Sequence, residues 1–248
     1  MTAYCEEFLK LMYGARGRFV TAHATVREWR DEMTADDVLV RMSASEAYHK
    51  IFGPPKSQGQ GFPRKNGKSE RTWRVWHERP NRWRQEIESA GRSGTEYRVV
   101  DGDAFWYYNS LHGSRHAIAT RSEFGGGFGA EFEIAHVFDP AVPHLELEEL
   151  ELRPAGRTRA AGREAIRLEA VKPGGWEYPP EPLWWGADDY ELLVDAERGL
   201  ILRLASRLGG LAFDMTEVLE IAFDETLPEG TFVLDLPGVE FGEPERLT

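Results

Sequence analysis

The sequence predicts a mainly β fold, in which a strongly curved antiparallel sheet is covered on its inner side by helical segments. From Glu70 onward, alternating apolar and polar runs are separated by short turns, which is typical of consecutive hairpins. Several of these runs carry an apolar row on one side only. Helical periodicity is confined to the region before Gly53. A long twisted sheet with a polar outer face curls, and it can wrap around such helices.

A single domain is predicted for residues 1–248, because no composition shift marks a boundary. A hydrophobic fraction of 41% supports a substantial core in a chain of this length. Residues 1–69 are expected to contain the N-terminal helices, the first strand and a mobile loop. Residues 70–240 are expected to form an antiparallel meander.

The charge balance excludes several classes of partner. A formal net charge of −12 disfavours nucleic acid and anionic membrane surfaces. No apolar run reaches 18 residues, so no membrane span is predicted. The single cysteine, Cys5, leaves no internal disulfide. No export signal precedes it, so we expect a cytoplasmic location for the chain as written, and a periplasmic or other extracytoplasmic one if an export signal is missing from it.

The N-terminal region predicts two helices around a strand. Apolar residues at helical spacing predict a helix over 4–14, and β-branched alternation predicts a strand over 18–29. Thr34, followed by acids, predicts the start of a second helix that runs to about Phe52. The Gly-, Pro-, Ser- and Lys-rich stretch 53–69 predicts the loop.

In the rest of the chain, turn residues separate the predicted strands and indicate which of them form hairpins. Arg79-Pro80-Asn81 and an Asp-Gly turn at 101–102 join the first two strand pairs. Gly199 ends the turn of a third pair, and Gly209-Gly210 leads into the last long strand. The expected strands are 71–78, 82–89, 95–100, 104–109, 190–194, 199–207 and 211–223. Residues 145–152 are expected to form an edge strand or a short helix.

Alternation within these strands predicts an apolar wall. Across the Asp-Gly turn, Tyr97 and Val99 share an uncharged side with Trp106 and Tyr108, and we expect that side to face the interior. In the first hairpin, Trp76, Trp83 and Ile87 are expected on one side, and Trp73 and Val75 on the other. Eight tryptophans are many for a simple core, and large rings often line pockets, so the interior is either a cavity or a filled core. The predicted cavity wall comprises Trp76, Trp83, Tyr97, Val99, Trp106, Tyr108, Leu192, Val194, Leu202, Leu204, Phe213, Met215, Leu219 and Ile221.

No constellation for catalysis, metal binding or cofactor binding emerges from the sequence. Asp101-Gly102-Asp103 lacks the later ligands of a calcium loop and predicts a hairpin turn. His112 and His116 have zinc-like spacing, but Gly113 argues against the helix that such a site requires. Neither a phosphate-binding glycine loop nor a G-x-S-x-G sequence occurs. We therefore predict no enzyme activity, no metal and no cofactor.

The hairpins resemble a known family over roughly residues 70–240. "YELLVDAERGLILRL" followed by "FDMTEVLEIAFDETLPEGTFVLDLPGV" resembles the C-terminal half of bacterial outer-membrane lipoprotein carriers, the LolA/LolB-like fold shared with RseB-like sensors. "ERPNRWRQEIE" and "VVDGDAFWYYN" resemble the preceding hairpins of that family, and "AGREAIRLEAV" resembles its central strand. The resemblance implies an unclosed β-barrel with a helical lid and an apolar cavity for acyl chains or similar groups.

Two functions follow as expectations, with an enzyme assembled from scattered residues as a third and weaker reading. The first is non-enzymatic binding of a hydrophobic small molecule, lipid or lipidated protein, as in lipoprotein carriers. The second is an RseB-like regulatory module that binds a protein partner and has a filled core. An exposed apolar patch without an interior cavity would favour the second function.

Overall fold

The computed structural model describes residues 3–44, 49–50, 67–90, 94–102, 104–111, 113–119, 150–171, 186–241 and 245–246. Two α-helices, a 3-10 turn and twelve strands follow one another along these residues. The helical elements are α1 (Ala3–Tyr13), the 3-10 turn Ala15–Arg18 and α2 (Glu32–Ser43). The strands are β1 (Thr21–Asp31), β2 (Lys68–Glu78), β3 (Arg82–Ser89), β4 (Thr95–Asp101), β5 (Ala104–Asn109), β6 (Ser114–Ala119), β7 (Glu151–Ala160), β8 (Arg163–Val171), β9 (Asp189–Asp195), β10 (Ile201–Leu208), β11 (Leu211–Phe223) and β12 (Glu245–Arg246).

All twelve strands belong to one open sheet. Their order is β12-β6-β5-β4-β3-β2-β1-β11-β10-β9-β8-β7, and every pair is antiparallel except β12 with β6. Within the described residues, the end strands β12 and β7 do not pair with each other, so the sheet does not close. The predicted fold class, a mainly β open antiparallel sheet with helices, is confirmed.

The predicted hairpins are confirmed, and the second helix needs a correction. α2 begins at Glu32, because the carboxylate of Asp31 accepts the backbone N–H of Thr34 at 3.2 Å and caps the helix. The helix therefore begins two residues before Thr34, the predicted start, and its cap is Asp31. α2 ends at Ser43, and His49 and Lys50, within the predicted continuation, are again helical. Residues 45–48 and 51–66 lie outside the described residues. Lys68 and Ser69, predicted in the loop, belong to β2.

All of β6 and most of β7 lie in segments for which the sequence predicts no strand. β6 follows the Gly113 turn and contains His116. β7 contains Pro154 and several arginines, which are unfavourable in a central strand. It lies at the sheet edge, with a register shift between Pro154 and Gly156, and both features accommodate a proline. Of the predicted 145–152 element, residues 151–152 lie in this edge strand.

Strands β1 to β5 have two faces that differ in what covers them. One face, which we call the core face, carries Ala24 and Val26 of β1 together with the side chains that pair with them on the neighbouring strands. Phe19, after the 3-10 turn, packs on this face. The members of the core face on β2–β5 are Trp73, Val75, His77, Trp83, Gln85, Ile87, Val100 and Phe105. On the opposite face, which we call the tail face, side chains of β2, β4 and β5 pack with the C-terminal segment 227–241.

The two helices cover the other half of the sheet. Leu9 and Met12 of α1 and Val38 of α2 belong to one cluster with side chains of β8 to β11. We call this cluster the helix cluster. Its sheet members include Leu168, Tyr190, Leu192, Val194, Ile201, Leu204 and Phe213. A helical cover on one side of the sheet agrees with the sequence prediction.

Candidate functional site

The Asp-Gly sequence at 101–102 forms a hairpin turn, as predicted. Gly102 has φ +62° and its backbone N–H donates to the carbonyl of Asn81 at 3.0 Å. The carboxylate of Asp101 lies 3.0 Å from Nε of Arg82, so it is paired within the fold. Asp103 lies outside the described residues. These contacts explain the turn without a ligand.

The structure does not place the predicted wall residues on one surface. In the first hairpin, Glu78 pairs with Arg82 across a three-residue loop, so Trp83 lies opposite His77 and Trp76 lies opposite Arg84. The prediction that Trp76 and Trp83 share a side is wrong, because the loop length sets a register in which they alternate. Trp83 belongs to the core face and Trp76 to the tail face.

The aromatic side of the 95–109 hairpin has the predicted strand pairing, but the C-terminal segment, which was not expected there, packs against it. Tyr97 pairs with Tyr108 and Val99 with Trp106, as the turn required. These four side chains and Trp76 pack with Phe232 and other apolar residues of the C-terminal segment. This side packs in a buried cluster around Val99, but it is not the only buried side. The same strands present Val100 and Phe105 to the cluster on the core face, which we call the main cluster and which also includes Leu193, Leu200, Leu202 and Val218.

Arg84 and Arg82 fasten the C-terminal segment to the tail face. Nη1 of Arg84 donates to the carbonyls of Thr231 and Val233, each at 3.1 Å. The Arg82 guanidinium lies 4.5 Å from the ring centroid of Phe232. The aromatic side of β4 and β5 is therefore filled by the protein's own chain.

The four predicted wall residues of β9 and β10 belong to two different clusters, because the pairing of these strands contains a register shift. Leu192, Val194 and Leu204 pack in the helix cluster. A shift between Ile201 and Arg203 places Ile201, rather than Leu202, opposite Val194. Leu202 packs instead in the main cluster with Leu193. The bulge adds one residue to β10, which strict alternation does not anticipate.

A second shift changes the burial pattern of β11. The pairing with β1 slips between Thr25 and Val26, so Val218 is buried and Leu219 is 42% exposed. Phe213 lies in the helix cluster, whereas Ile221 packs against the main cluster. Met215 is half-buried. The predicted single apolar row along β11 is thus broken.

The core face of β2 to β5 provides an apolar surface across four strands. Trp73 lies opposite Ile87, and the Trp83–Val100–Phe105 row crosses the next strands. All five side chains belong to or pack against the main cluster. Only Trp83 was among the predicted wall residues. Counting three loop residues at 79–81 would have placed Trp73, Trp83 and Ile87 together from the sequence.

A polar row interrupts this apolar surface. Gln85 lies opposite Arg98, and Arg98 lies opposite Tyr107, so the three side chains cross β3, β4 and β5. Nε of Arg98 donates to Oε1 of Glu96 at 2.7 Å. Gln85 is 0% exposed, and neither its Oε1 nor its Nε2 has a hydrogen-bond partner among the residues that the structure describes. The same holds for Nε1 of the equally buried Trp73.

The perturbed titratable groups lie away from this row. Hydrogen bonding to Asp195 raises the pKa of Arg163, and burial, followed by the charge of Asp189, raises the pKa of Tyr190. Arg163 and Tyr190 belong to β8 and β9. Within the described ranges, no group of three or more His, Cys, Asp or Glu side chains has metal-site geometry. His116 lies in β6, and His112 is outside the description.

Two open pockets lie on the tail face. One, of about 230 Å³, is bordered by His23, Thr25 and Trp76. The other, of about 370 Å³, lies between Thr21, at the start of β1, and residues 225–232. The side chains of His23 and Glu225, 3.3 Å apart, stand between them. None of the helices in the described ranges has the length and apolar character of a transmembrane helix.

Comparison with known proteins shows similarity in fold alone. No protein-family model and no curated protein matches the sequence. The crystal structure of MucB, known also in complex with MucA from Pseudomonas aeruginosa, has a TM-score of 0.54 at 14% identity over 94% of this chain. This chain spans 64% of that MucB chain. An uncharacterized conserved protein from Thermus thermophilus has a TM-score of 0.49 at 13% identity, covering 98% of this chain and 99% of that one. The Mycobacterium tuberculosis lipoprotein LppX has a TM-score of 0.48 at 10% identity, covering 92% and 99%.

Proposed function

We propose that this chain, which has a divergent LolA/RseB-like fold, binds a hydrophobic ligand against its core face without catalysing a reaction. The ligand is an acyl chain, a lipid or a lipidated protein, and the role is that of a carrier. We propose the core face rather than the aromatic side of the 95–109 hairpin as the binding surface, because the C-terminal segment packs on that side, whereas the core face carries buried polar atoms without partners among the described residues.

The observation that carries this proposal is the apolar surface of Trp73, Trp83, Ile87, Val100 and Phe105, which the polar row at Gln85 crosses. Burial of a methylene group contributes about 0.8 kcal/mol, so about ten methylenes laid on such a surface contribute about 8 kcal/mol. Association and ordering costs offset part of this gain.

The titratable side chains on the core face favour binding over catalysis. Arg98 and Glu96 neutralise each other at 2.6 Å. The His77 ring lies 4.1 Å from the Trp83 ring and 5.6 Å from that of Phe19, so it packs as an aromatic group. The proposed ligand therefore meets packed rings and a neutral ion pair. The cytoplasmic location expected from the sequence as written stays a prediction.

Quenching by a brominated fatty acid tests the proposal and locates the ligand. We expect 9,10-dibromostearate to quench tryptophan fluorescence of the purified protein, and native mass spectrometry with lipid extraction to detect an acyl species in protein from its own host. Trp73→Phe and Trp83→Phe should each remove a large part of the quenching. The matched control Trp106→Phe, on the tail face, should leave it intact.

Other outcomes separate the alternatives. Quenching that depends on Trp106 instead would place the ligand under the C-terminal segment and contradict the core-face site. If no quenching occurs and no acyl species is extracted, the carrier proposal fails. The RseB-like interaction module with a filled core would then be the better description.

A further inference from the structure

We infer that Trp73 and Gln85 form a polar subsite that binds an uncharged carbonyl group, the ester or amide of an acyl ligand. This inference rests on the proposed function and specifies the chemical class of the ligand. It assigns a role to two buried polar groups that the apolar surface alone does not explain.

The two side chains are neighbours on the core face. Trp73 pairs with Ile87 and Val75 pairs with Gln85, so Trp73 and Gln85 are diagonal neighbours on adjacent antiparallel strands. Diagonal side chains on one face of a sheet are within reach when one of them is long or aromatic. The indole N–H and the amide can therefore converge on one small group between β2 and β3.

Both groups are buried without hydrogen-bond partners among the described residues. Trp73 and Gln85 are each 0% exposed, and the indole Nε1 and both polar atoms of the amide are unpaired. Folded proteins satisfy the great majority of buried polar atoms, because an unpaired one is destabilising. Two such side chains side by side indicate that a third polar group completes the arrangement when the protein performs its function.

The donor inventory selects a carbonyl oxygen. Indole offers one N–H donor, and the glutamine amide offers two further N–H donors and one acceptor. A carbonyl oxygen has two lone pairs, so it accepts one hydrogen bond from Trp73 and one from Gln85. Rotation of the amide presents either its nitrogen or its oxygen to the ligand.

The surrounding charges select an uncharged head group. Arg71, two residues before Trp73 on the same face, lies 3.9 Å from Glu28. Arg98, on the adjacent strand, lies opposite Gln85 and is engaged by Glu96 at 2.6 Å. A carboxylate placed beside Gln85 would find this countercharge already neutralised, and a buried unpaired charge is costly. An ester or amide carbonyl carries no such cost. Val75 and Ile87 flank the subsite and contact the chain that follows the carbonyl.

Infrared spectroscopy and binding measurements on the full-length chain test this subsite. We would use methyl [1-¹³C]palmitate, [1-¹³C]palmitate and hexadecane as probes. The bound ester carbonyl should absorb at lower wavenumber than in hexane, because it accepts hydrogen bonds. Gln85→Leu and Trp73→Phe should each move the band back toward its hexane position. Each should weaken ester binding about tenfold while changing hexadecane binding by less than about twofold.

A matched variant and a stability readout complete the design. Ile87→Val, on the same strand and face, removes one methylene and should weaken ester and hexadecane alike by about fourfold. In ligand-free protein, Gln85→Leu should raise Tm by about 2–4 °C, because an unpaired buried amide is replaced by an apolar group.

The outcomes are distinguishable. An ester that binds with its carbonyl band at the hexane position and is insensitive to Gln85→Leu overturns the subsite and leaves the proposed function standing. That result, with an unchanged or lowered Tm for Gln85→Leu, would mean that the two groups hold only ordered water. Tighter binding of palmitate than of its methyl ester overturns the preference for an uncharged head. If neither ester nor hexadecane binds, the subsite and the proposed function fail together.

Discussion

At the scale of single residues, Asp224 shows how one side chain joins distant parts of the chain. It follows β11 with φ +57°, a left-handed conformation that Asp tolerates better than most residues. Its carboxylate accepts the backbone N–H of Val20 at 2.7 Å and Nη1 of Arg198 at 3.1 Å. The Val20 hydrogen bond is the chief reason that the pKa of Asp224 lies below its ordinary value of 3.8.

The lowered pKa predicts a pH-dependent contribution to stability. Because the folded pKa is depressed, the contribution is complete above pH 3.8 and is lost as the pH falls through the lower folded value. The side chain is 44% exposed, so solvent screening limits the effect to a few tenths of a kcal/mol. Asp224→Asn should reduce the free energy of unfolding by this amount at pH 6, and the difference should shrink toward about pH 2, as measured by urea denaturation. Asp235→Asn, at an exposed position, controls for the loss of a charge; an Asp224→Asn effect that grows at low pH would contradict the assignment.

At the scale of elements, the turn between β9 and β10 anchors α1. Gly199 has φ +79°, and a Cβ placed there would overlap the carbonyl group of Leu11. Backbone conformation and close approach both require glycine at this position.

Gly199→Ala therefore tests the docking of α1 against the sheet. We expect a loss of about 2–4 kcal/mol in the free energy of unfolding, from left-handed strain together with the clash. Gly210→Ala is the matched control, because Gly210 has φ +80° and a Cβ there would meet no atom of the described residues within 4 Å, so only about 1 kcal/mol of strain applies. If thermal or chemical denaturation gave the two variants equal losses in the free energy of unfolding, α1 would not pack closely against the turn at Gly199.

At the scale of the whole molecule, β1 unites the two halves of the sheet. It lies between β2 and β11, so the first strand pairs with the last long one. Val26 is buried at this junction, opposite Trp73 on one side and Val218 on the other. Pairing between such distant segments makes folding slow compared with that of helical proteins.

Val26→Ala should lower global stability by about 2 kcal/mol through the cavity that it leaves. Circular dichroism and tryptophan fluorescence should report the same single transition, because the junction belongs to both halves. Val233→Ala, at a 58% exposed position, should change stability by less than about 0.5 kcal/mol. Two separate transitions in the Val26→Ala variant would show that the halves unfold independently.

The sequence by itself determined the fold class, α1, the first strand and the hairpins, because turn residues and strict alternation act over a few neighbouring positions. The Asp-Gly turn, for example, correctly paired Tyr97 with Tyr108. The loop length at 79–81 also specifies, by counting, that Trp76 and Trp83 lie on opposite faces. Only the tertiary structure decided the bulges, which bury Val218 in place of Leu219 and set Ile201 in place of Leu202 opposite Val194.

Long-range packing also decided the location of the candidate site. The C-terminal segment covers the aromatic side of β4 and β5, a contact between residues far apart in sequence that alternation does not encode. The placement of Gln85 beside Trp73, whose polar atoms have no partners within the described residues, likewise depends on the register between β2 and β3. Periodicity specifies that a side chain alternates, whereas register and distant cover specify what it contacts.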